Sequence, residues 1–451
     1  MKTRPAFLRN SRGSILMVTL VLSFTIGIVL LSCLSLVKSQ NQAVARSQAW
    51  NACIPVIEAG IEEAMAHLNN QRETTYTVNG WTQDGVVYWR ERALGDSFYS
   101  VNITLADPLR PVIVCTGYVR MPVLVAEANG PLLADSAVGV DGLQYICRAV
   151  QVVAQRHPTF AKAMVAKESI DMNGNNIQTD SFDSMDPNHS TLTGGYDPAK
   201  ASDKGDVATL SGLADSLGVG NANIKGHVQT GAGGSIDIGP GGVVGSMDWH
   251  NAGNTGIQPG WWSDDLNVYF PDVERPFNGG AFVPTSGSVT GYVYKYLLTD
   301  GNYELSNLTL ASKEKMAITG NAVLLVDGNV TVIGGIDILP GGSLKLYVAG
   351  ANTVLGGSGV NNTGRATNFV YYGLPSNTSF TLPSNGDFIG AIYAPSCNFT
   401  LSGGGSTDLN FCGACVTRTV GVNGHYKFHY DESLGRFGPW RDFVIISWVE
   451  L

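Results

Sequence analysis

Hydrophobic and polar positions alternate along this chain in three distinct rhythms. The first is an unbroken apolar run. Ile15–Val37 contains 23 residues without a charge, preceded by the leader MKTRPAFLRNSRG with Lys2, Arg4, Arg9 and Arg12 and no acid. Roughly 20 apolar residues suffice for a helix to cross a bilayer, and a basic flank favours the cytoplasmic side. The run therefore predicts a membrane-spanning helix with the bulk of the chain outside an inner membrane. The second rhythm is helical. Trp50, Ile54, Ile57, Ile61, Met65 and Leu68 recur at spacings of three and four, one face of a helix. The apolar helix thus continues to Asn69-Asn70, with a kink expected at Pro55. A cleaved signal peptide would have a shorter apolar core and a small-residue cleavage site.

The third rhythm is that of strands. Tyr76–Val78, Val86–Arg90, Ser97–Leu105, Val112–Val119 and Cys147–Gln155 are β-rich, with Tyr99, Val101, Ile103 and Leu105 on one face. Leu132–Asp135 reads as a loop or short helix. A helix laid across an antiparallel sheet is the expected arrangement for residues 71–157, and His157-Pro158 marks a break. Beyond it, short β-branched runs alternate with Gly, Asn and Asp. Between residues 317 and 350, glycines at 320, 328, 334, 335, 341, 342 and 350 separate Val323–Val326, Val330–Ile333 and Leu344–Val348. Strands this short fit stacked turns of a β-solenoid. The sequence Ile236–Gly242 (IDIGPGG) recurs as Ile336–Gly342 (IDILPGG), with a weaker copy at Ile170–Asn175. Its Pro-Gly pair predicts a type II turn. Residues near 246–276 break the rhythm and read as an excursion. Residues 158–437 form the solenoid and 438–451 a closing segment.

Two resemblances follow from particular residues. Arg12–Val18 (RGSILMV), Ala49–Ala52 (AWNA) and Glu58–Ala64 (EAGIEEA) resemble the N-terminus of type IV pilins, especially minor pilins of the PilX class. Arg148–Arg156 also resembles the last strand before the domain boundary in that class. The resemblance implies that residues 1–13 are a leader removed after Gly13, leaving Ser14 as the N-terminus, and that residues 14–70 are the pilin stem. Major pilins carry a glutamate at the fifth mature position, where this chain has Val18. That points to a minor, tip-like or assembly role. Thr179–Ser184, Gly390–Pro395 and Phe428–Leu434 resemble, in order, the motifs of an uncharacterised envelope domain that follows PilX-like N-termini. That likeness implies a right-handed parallel β-helix without established catalytic activity.

Composition narrows the function. Only 14% of residues are charged and the net charge is −9, although four of the 28 bases lie in the leader. Such a surface disfavours nucleic acid. Of the seven cysteines, Cys33 lies in the apolar run, where Leu30–Cys33 loosely resembles a lipobox. Cys397, Cys412 and Cys415 are candidates for a disulfide.

Two constellations hold metal-ligating residue types. Asp180, Asp183 and Asp186 could offer oxygens to Ca²⁺ or bond the backbone at solenoid corners. His425 and His429 share a strand face with Asp431, an arrangement open to metal or general-base chemistry or to structural hydrogen bonding. The structural alternative is preferred for both, so no cofactor is expected. No GxSxG, HExxH or Walker A motif occurs. Trp249, Trp261, Trp262, Tyr292, Tyr294 and Tyr296 could pack or line a binding surface. The expected protein is a non-enzymatic, pilin-like envelope component with the membrane and other pilin-like subunits as partners and an adhesive head for surface glycan or protein. The alternatives are a membrane-anchored or lipidated glycan-binding protein that does not polymerise and, third, a polysaccharide-degrading β-helix enzyme.

Overall fold

The computed structural model describes residues 12–70, 76–121, 136–138, 143–172, 174, 176–383, 386–402, 408–423, 425–437 and 440–451. The leader before Arg12 and the segment Leu132–Asp135 lie outside the described residues. The chain divides into two units, residues 1–157 with 442–451 and residues 158–441.

In the first unit, the apolar run and the amphipathic stripe form one helix, α1 (Arg12–Asn70), which passes through Pro55. It is long and apolar enough to cross a membrane, and its most apolar 18-residue window is not buried at all within the chain. The buried stripe of the second half is Ala49, Cys53, Ile57, Gly60, Ile61, Ala64 and Leu68, while Trp50, Ile54 and Met65 flank it half-buried. The contact line is thus rotated from the one that hydropathy picks out. Small residues occupy it because the helix lies close to a sheet. A Cβ on Gly60 would sit 2.5 Å from the Cys115 Sγ, and one on Gly117 would sit 3.0 Å from the Cys53 carbonyl.

That sheet contains β1 (Thr82–Asp84), β2 (Val87–Leu94), β3 (Ser97–Thr104), β4 (Val112–Arg120), β5 (Ser136–Val138) and β6 (Gln144–Pro158). The first four and β6 pair antiparallel in the order β1-β2-β3-β4-β6. Tyr76–Val78 make a turn instead of a strand. Tyr99, Val101, Ile103, Ile113, Cys115, Val150 and Val152 point at the helix and are buried. Glu63 anchors the far side of α1, pairing with Arg90 at 2.8 Å and accepting from the Tyr99 hydroxyl.

The C-terminal strand, Trp440–Glu450, adds to this same sheet beside β6. The Leu451 amide donates to the Ala149 carbonyl at 3.0 Å, Arg148 donates to Glu450 at 2.7 Å, and the Phe443 amide donates to Asn69 at 2.7 Å. The closing segment therefore completes the first unit, and the second is an insertion between two strands of it. Sequence rhythm cannot reveal this, because the strand's partners lie almost three hundred residues earlier.

The second unit is a large parallel-paired β region. Leu308 pairs with Val330, Val330 with Thr353, Thr353 with Phe380, Phe380 with Phe399 and Phe399 with Val420. A second ladder runs Tyr303, Leu324, Leu346, Tyr371, Ile392 and Cys415, and a third Met316, Ile336, Val360. Apart from Thr353, whose hydroxyl bonds to Tyr371 at 2.7 Å, the ladder positions named are apolar or aromatic and buried. Phe369, Phe388, Phe411 and Phe428 form a column with successive ring centroids 5.7, 4.6 and 4.1 Å apart. Each such contact contributes about 0.5–1.5 kcal/mol beyond burial.

Pairing order and chain order differ. Met164–Asp171 pairs on one side with Leu409–Val422 and on the other with Val207–Thr209 and Leu217–Gly220. The chain starts mid-stack and advances to Trp262–Ser263, which pairs with Val228–Gln229. The strandless excursion is 264–284, later than the sequence rhythm indicates, since Gly256–Ile257 also pairs in parallel. Its Phe270 and Val273 are buried in the main core, and the Pro271 carbonyl accepts from Tyr393 at 2.7 Å. The chain then re-enters through an antiparallel hairpin, Thr285–Val289 with Tyr292–Leu298, and winds back to its own beginning. The weaker copy at Ile170 and the IDIGPGG copy at Ile236 become near neighbours: Leu217 pairs with both Ile170 and Ile236. Gly341 has the positive φ of the expected type II turn, +86°, whereas the turn at Pro240-Gly241 forms without one.

Candidate functional site

Where the insertion's second strand meets its last, two distant sequence motifs come into register. Gln178–Phe182 pairs in parallel with Lys427–Asp431, so that Thr179 faces Phe428, Asp180 faces His429 and Phe182 faces Asp431. Residues 179–184 and 428–434 are thereby one structural feature. It is polar and almost wholly buried. Asp180 and Asp431 are fully buried, His429 is 1% exposed, and Ser181, Ser184 and Ser433 are buried beside them.

Asp180 is the centre. One carboxylate oxygen meets His429 Nδ1; the other accepts from the Tyr196 hydroxyl at 2.8 Å and from Gln178 at 3.0 Å, with Lys225 Nζ at 3.8 Å. The Tyr196 ring stacks on the imidazole, centroids 3.5 Å apart. His429 Nε2 lies 3.0 Å from Asn410 Oδ1, and the Asn410 amide nitrogen donates to Asp387. Both ring nitrogens thus lie within hydrogen-bonding distance of an oxygen, Nδ1 of Asp180 and Nε2 of Asn410. Burial, then the Asp180 charge, raises the Tyr196 pKa far above its ordinary value, so the phenol keeps the proton that it gives to Asp180.

Adjacent bonds extend the seam. Ser181 donates to Glu432 at 2.9 Å, and Glu432 pairs with Lys204 at 2.6 Å. Asp431 Oδ1 accepts from the amides of Ser184 and Ser433, both at 3.1 Å, while Oδ2 is buried with no hydrogen-bond partner among the described residues. Burial pushes this carboxyl's pKa above the ordinary aspartate value. Asp183 accepts from Arg436 and from the Met185 amide. The chemistry on offer is fixation. A buried, hydrogen-bonded Asp180–His429 pair specifies one register between segments some 250 residues apart, and leaving either buried polar group unpartnered is costly.

The sequence candidates separate accordingly. Asp180 and His429 come together. Asp186 turns away and accepts from the Asn188 amide at 2.9 Å, as a turn residue does. His425 lies near Asp408, with Nδ1 3.7 Å from its carboxylate. Among the described residues no group of three or more His, Cys, Asp or Glu is placed to hold a metal ion. Sequence reasoning missed Tyr196 and Asn410; neither stands in a motif, and only the register of the two ends brings them in.

Of the aromatics, Trp261 stacks on His227 at 4.1 Å, and the Trp249 amide is bound by the Ser246 cap of a short helix, Met247–Asn251. Trp262 and Tyr292 are about half exposed, at 46% and 45%, Tyr294 is buried and Tyr296 half-buried. The three tyrosines therefore do not form one open ladder. Tyr292 lies under Lys315, 5.8 Å away, and Lys315 pairs with Asp337 at 3.0 Å. Cys397, Cys412 and Cys415 are buried free thiols. Burial pushes the Cys397 pKa up to about 12 and raises those of the other two further, which makes them poor nucleophiles.

Residues 284–437 match a family described as a domain of unknown function (DUF7305). No curated protein sequence matches the chain. Two solved structures are similar at low scores. One is the competence-associated pilin ComZ from Thermus thermophilus, at 11% identity and a TM-score of 0.24, over 89% of this chain and 98% of that one. The other is the DUF3494 domain of Shewanella frigidimarina ice-binding protein_1, at 14% identity and 0.23, over 61% of this chain and 99% of that one. At these scores neither likeness bears on function.

Proposed function

We propose that this chain is a minor pilin-like component of a bacterial envelope, held in the inner membrane by α1 and carrying a right-handed parallel β-helix as an adhesive head. The observation that carries the reading is α1 itself. Its first half is apolar and uncovered, its second half packs on an antiparallel sheet, and no break separates them. A stem of that kind serves to sit in a membrane and pack against like stems. Val18, where major pilins place an acid, fits sparse incorporation at a tip or during assembly. The three parallel ladders support winding as a β-helix, and Gly13-Ser14 is the processing site that the PilX-like resemblance implies. The polar seam fits a structural role for Asp180 and His429, which are buried and bonded to each other.

The test is fractionation of cells that express the full-length protein from its own genome. The protein is expected in sheared filaments at a small fraction of the major subunit, and to vanish from them when the assembly ATPase is deleted. Retention in the membrane alone, with Cys33 lipidated, would favour a non-polymerising glycan-binding protein.

A further inference from the structure

The second unit covers one of its ladders and extends another with its own chain. The excursion lies on one through Pro271 and Tyr393, and the hairpin Thr285–Leu298 extends the third, with Tyr292 and Tyr294 packed together near Lys315. The remaining ladder has an outward face of unusual regularity. In register from strand to strand it presents Thr309, Thr331, Val354, Thr381 and Thr400. Two residues earlier on each strand stand Asn307, Asn329, Asn352, Ser379 and Asn398. Rungs of a sheet are about 4.8 Å apart and alternate residues about 6.8 Å. The array is therefore a two-column lattice about 19 Å long.

Neither column contains a charged or an aromatic residue. Lys295 and Glu314 pair with each other at 2.8 Å near its Thr309 end, and Arg418 is bonded to Asn398 at 2.8 Å. Two members of the asparagine column are locked in place: the Asn329 backbone amide donates to Asn307 Oδ1 at 2.9 Å and the Asn352 backbone amide to Asn329 Oδ1 at 3.0 Å. The four threonine hydroxyls differ. Among the described residues none of them bonds to another group of the chain, and all are exposed or half-buried. Each offers a hydroxyl beside a methyl group, held by a rigid, β-branched side chain.

We propose that this face binds ice. A soluble protein or peptide ligand would be read by charge or by an apolar pocket, and a sugar by an aromatic platform; the array has none of these. Neutral hydroxyls on four of five rungs, interrupted only by the Val354 methyls, can each hold a bridging water, and a partner that is itself periodic gains from all of them at once. The proposal deepens the adhesive role above and rests on it only for its setting, a head that attaches a cell to a frozen surface.

The experiment is enrichment on a cold finger, using the full-length protein in lipid nanodiscs with a nanodisc-embedded single-span protein as control. Wild-type protein is expected to enter the growing ice while the control is excluded. The Thr331→Lys/Thr381→Lys variant should lose the enrichment at an unchanged unfolding midpoint, and Lys345→Glu, on a different ladder, should keep it. Exclusion of the wild type, undiminished enrichment of the double variant, or retention on powdered cellulose or chitin with exclusion from ice would each overturn the proposal. The mass of the N-terminus, read on the same preparations, tests the pilin reading separately.

Discussion

Replacing Gly413 by alanine is expected to destabilise the second unit by about 4 kcal/mol or more, the range in which a single substitution has a backbone-level cause. Gly413 has φ +151° and pairs directly with Gly390 on the neighbouring rung. A Cβ there would lie 1.8 Å from the Gly390 carbonyl oxygen and 2.8 Å from its carbon. Main chain cannot move aside as a side-chain tip can, so the rungs must separate. Gly421 lies on the same strand, has nothing within 4 Å of its Cβ position and provides the control. Gly421→Ala should change stability by less than about 0.5 kcal/mol. Urea denaturation of the full-length protein in detergent measures both. Equal effects would mean that the rungs are less closely stacked than described.

Asp180→Ala should cost about 3–5 kcal/mol, the penalty for leaving a buried partner uncompensated. It strips the His429 ring of an acceptor and leaves the Tyr196 and Gln178 donors facing an apolar gap. Because the bond joins the start of the insertion to its end, the loss should be localised. Hydrogen exchange should speed up in 178–182 and 426–431 before it does in 321–348. Asp186→Ala removes only a turn acceptor and should cost less than about 1 kcal/mol. If the two variants behaved alike, the Asp180–His429 pair would not be what fixes the seam.

The legible features of this chain are local. An uncharged run of 23 residues, a three-and-four stripe and glycine-spaced β runs follow from neighbours in sequence, and the elements form where those patterns lie. The finer rotation of α1 was not legible, because its contact line is built from Ala49, Cys53, Gly60 and Ala64. Hydropathy ranks such residues low, while close packing selects them for size. The topology was not legible either. Nothing in WRDFVIISWVE states that its partner is β6, and nothing near residue 264 states that the chain crosses to the far end of the stack. Asp180 and His429 could be singled out as chemistry-bearing residues. That they bond to each other depends on a parallel register between distant strands. The threonine column is the plainest example, since Thr309, Thr331, Thr381 and Thr400 are unremarkable until the pairing aligns them.

The central claim is that α1 is a processed pilin-like stem and not a signal peptide or a lipoprotein anchor. Intact-mass spectrometry of the full-length protein, extracted from membranes of cells with an active prepilin peptidase, tests it most directly. The account predicts a chain that begins at Ser14, with an unmodified Cys33, and an unprocessed chain beginning at Met1 when the peptidase is deleted. A chain beginning at a lipidated Cys33, or one cleaved beyond Val37, would contradict it.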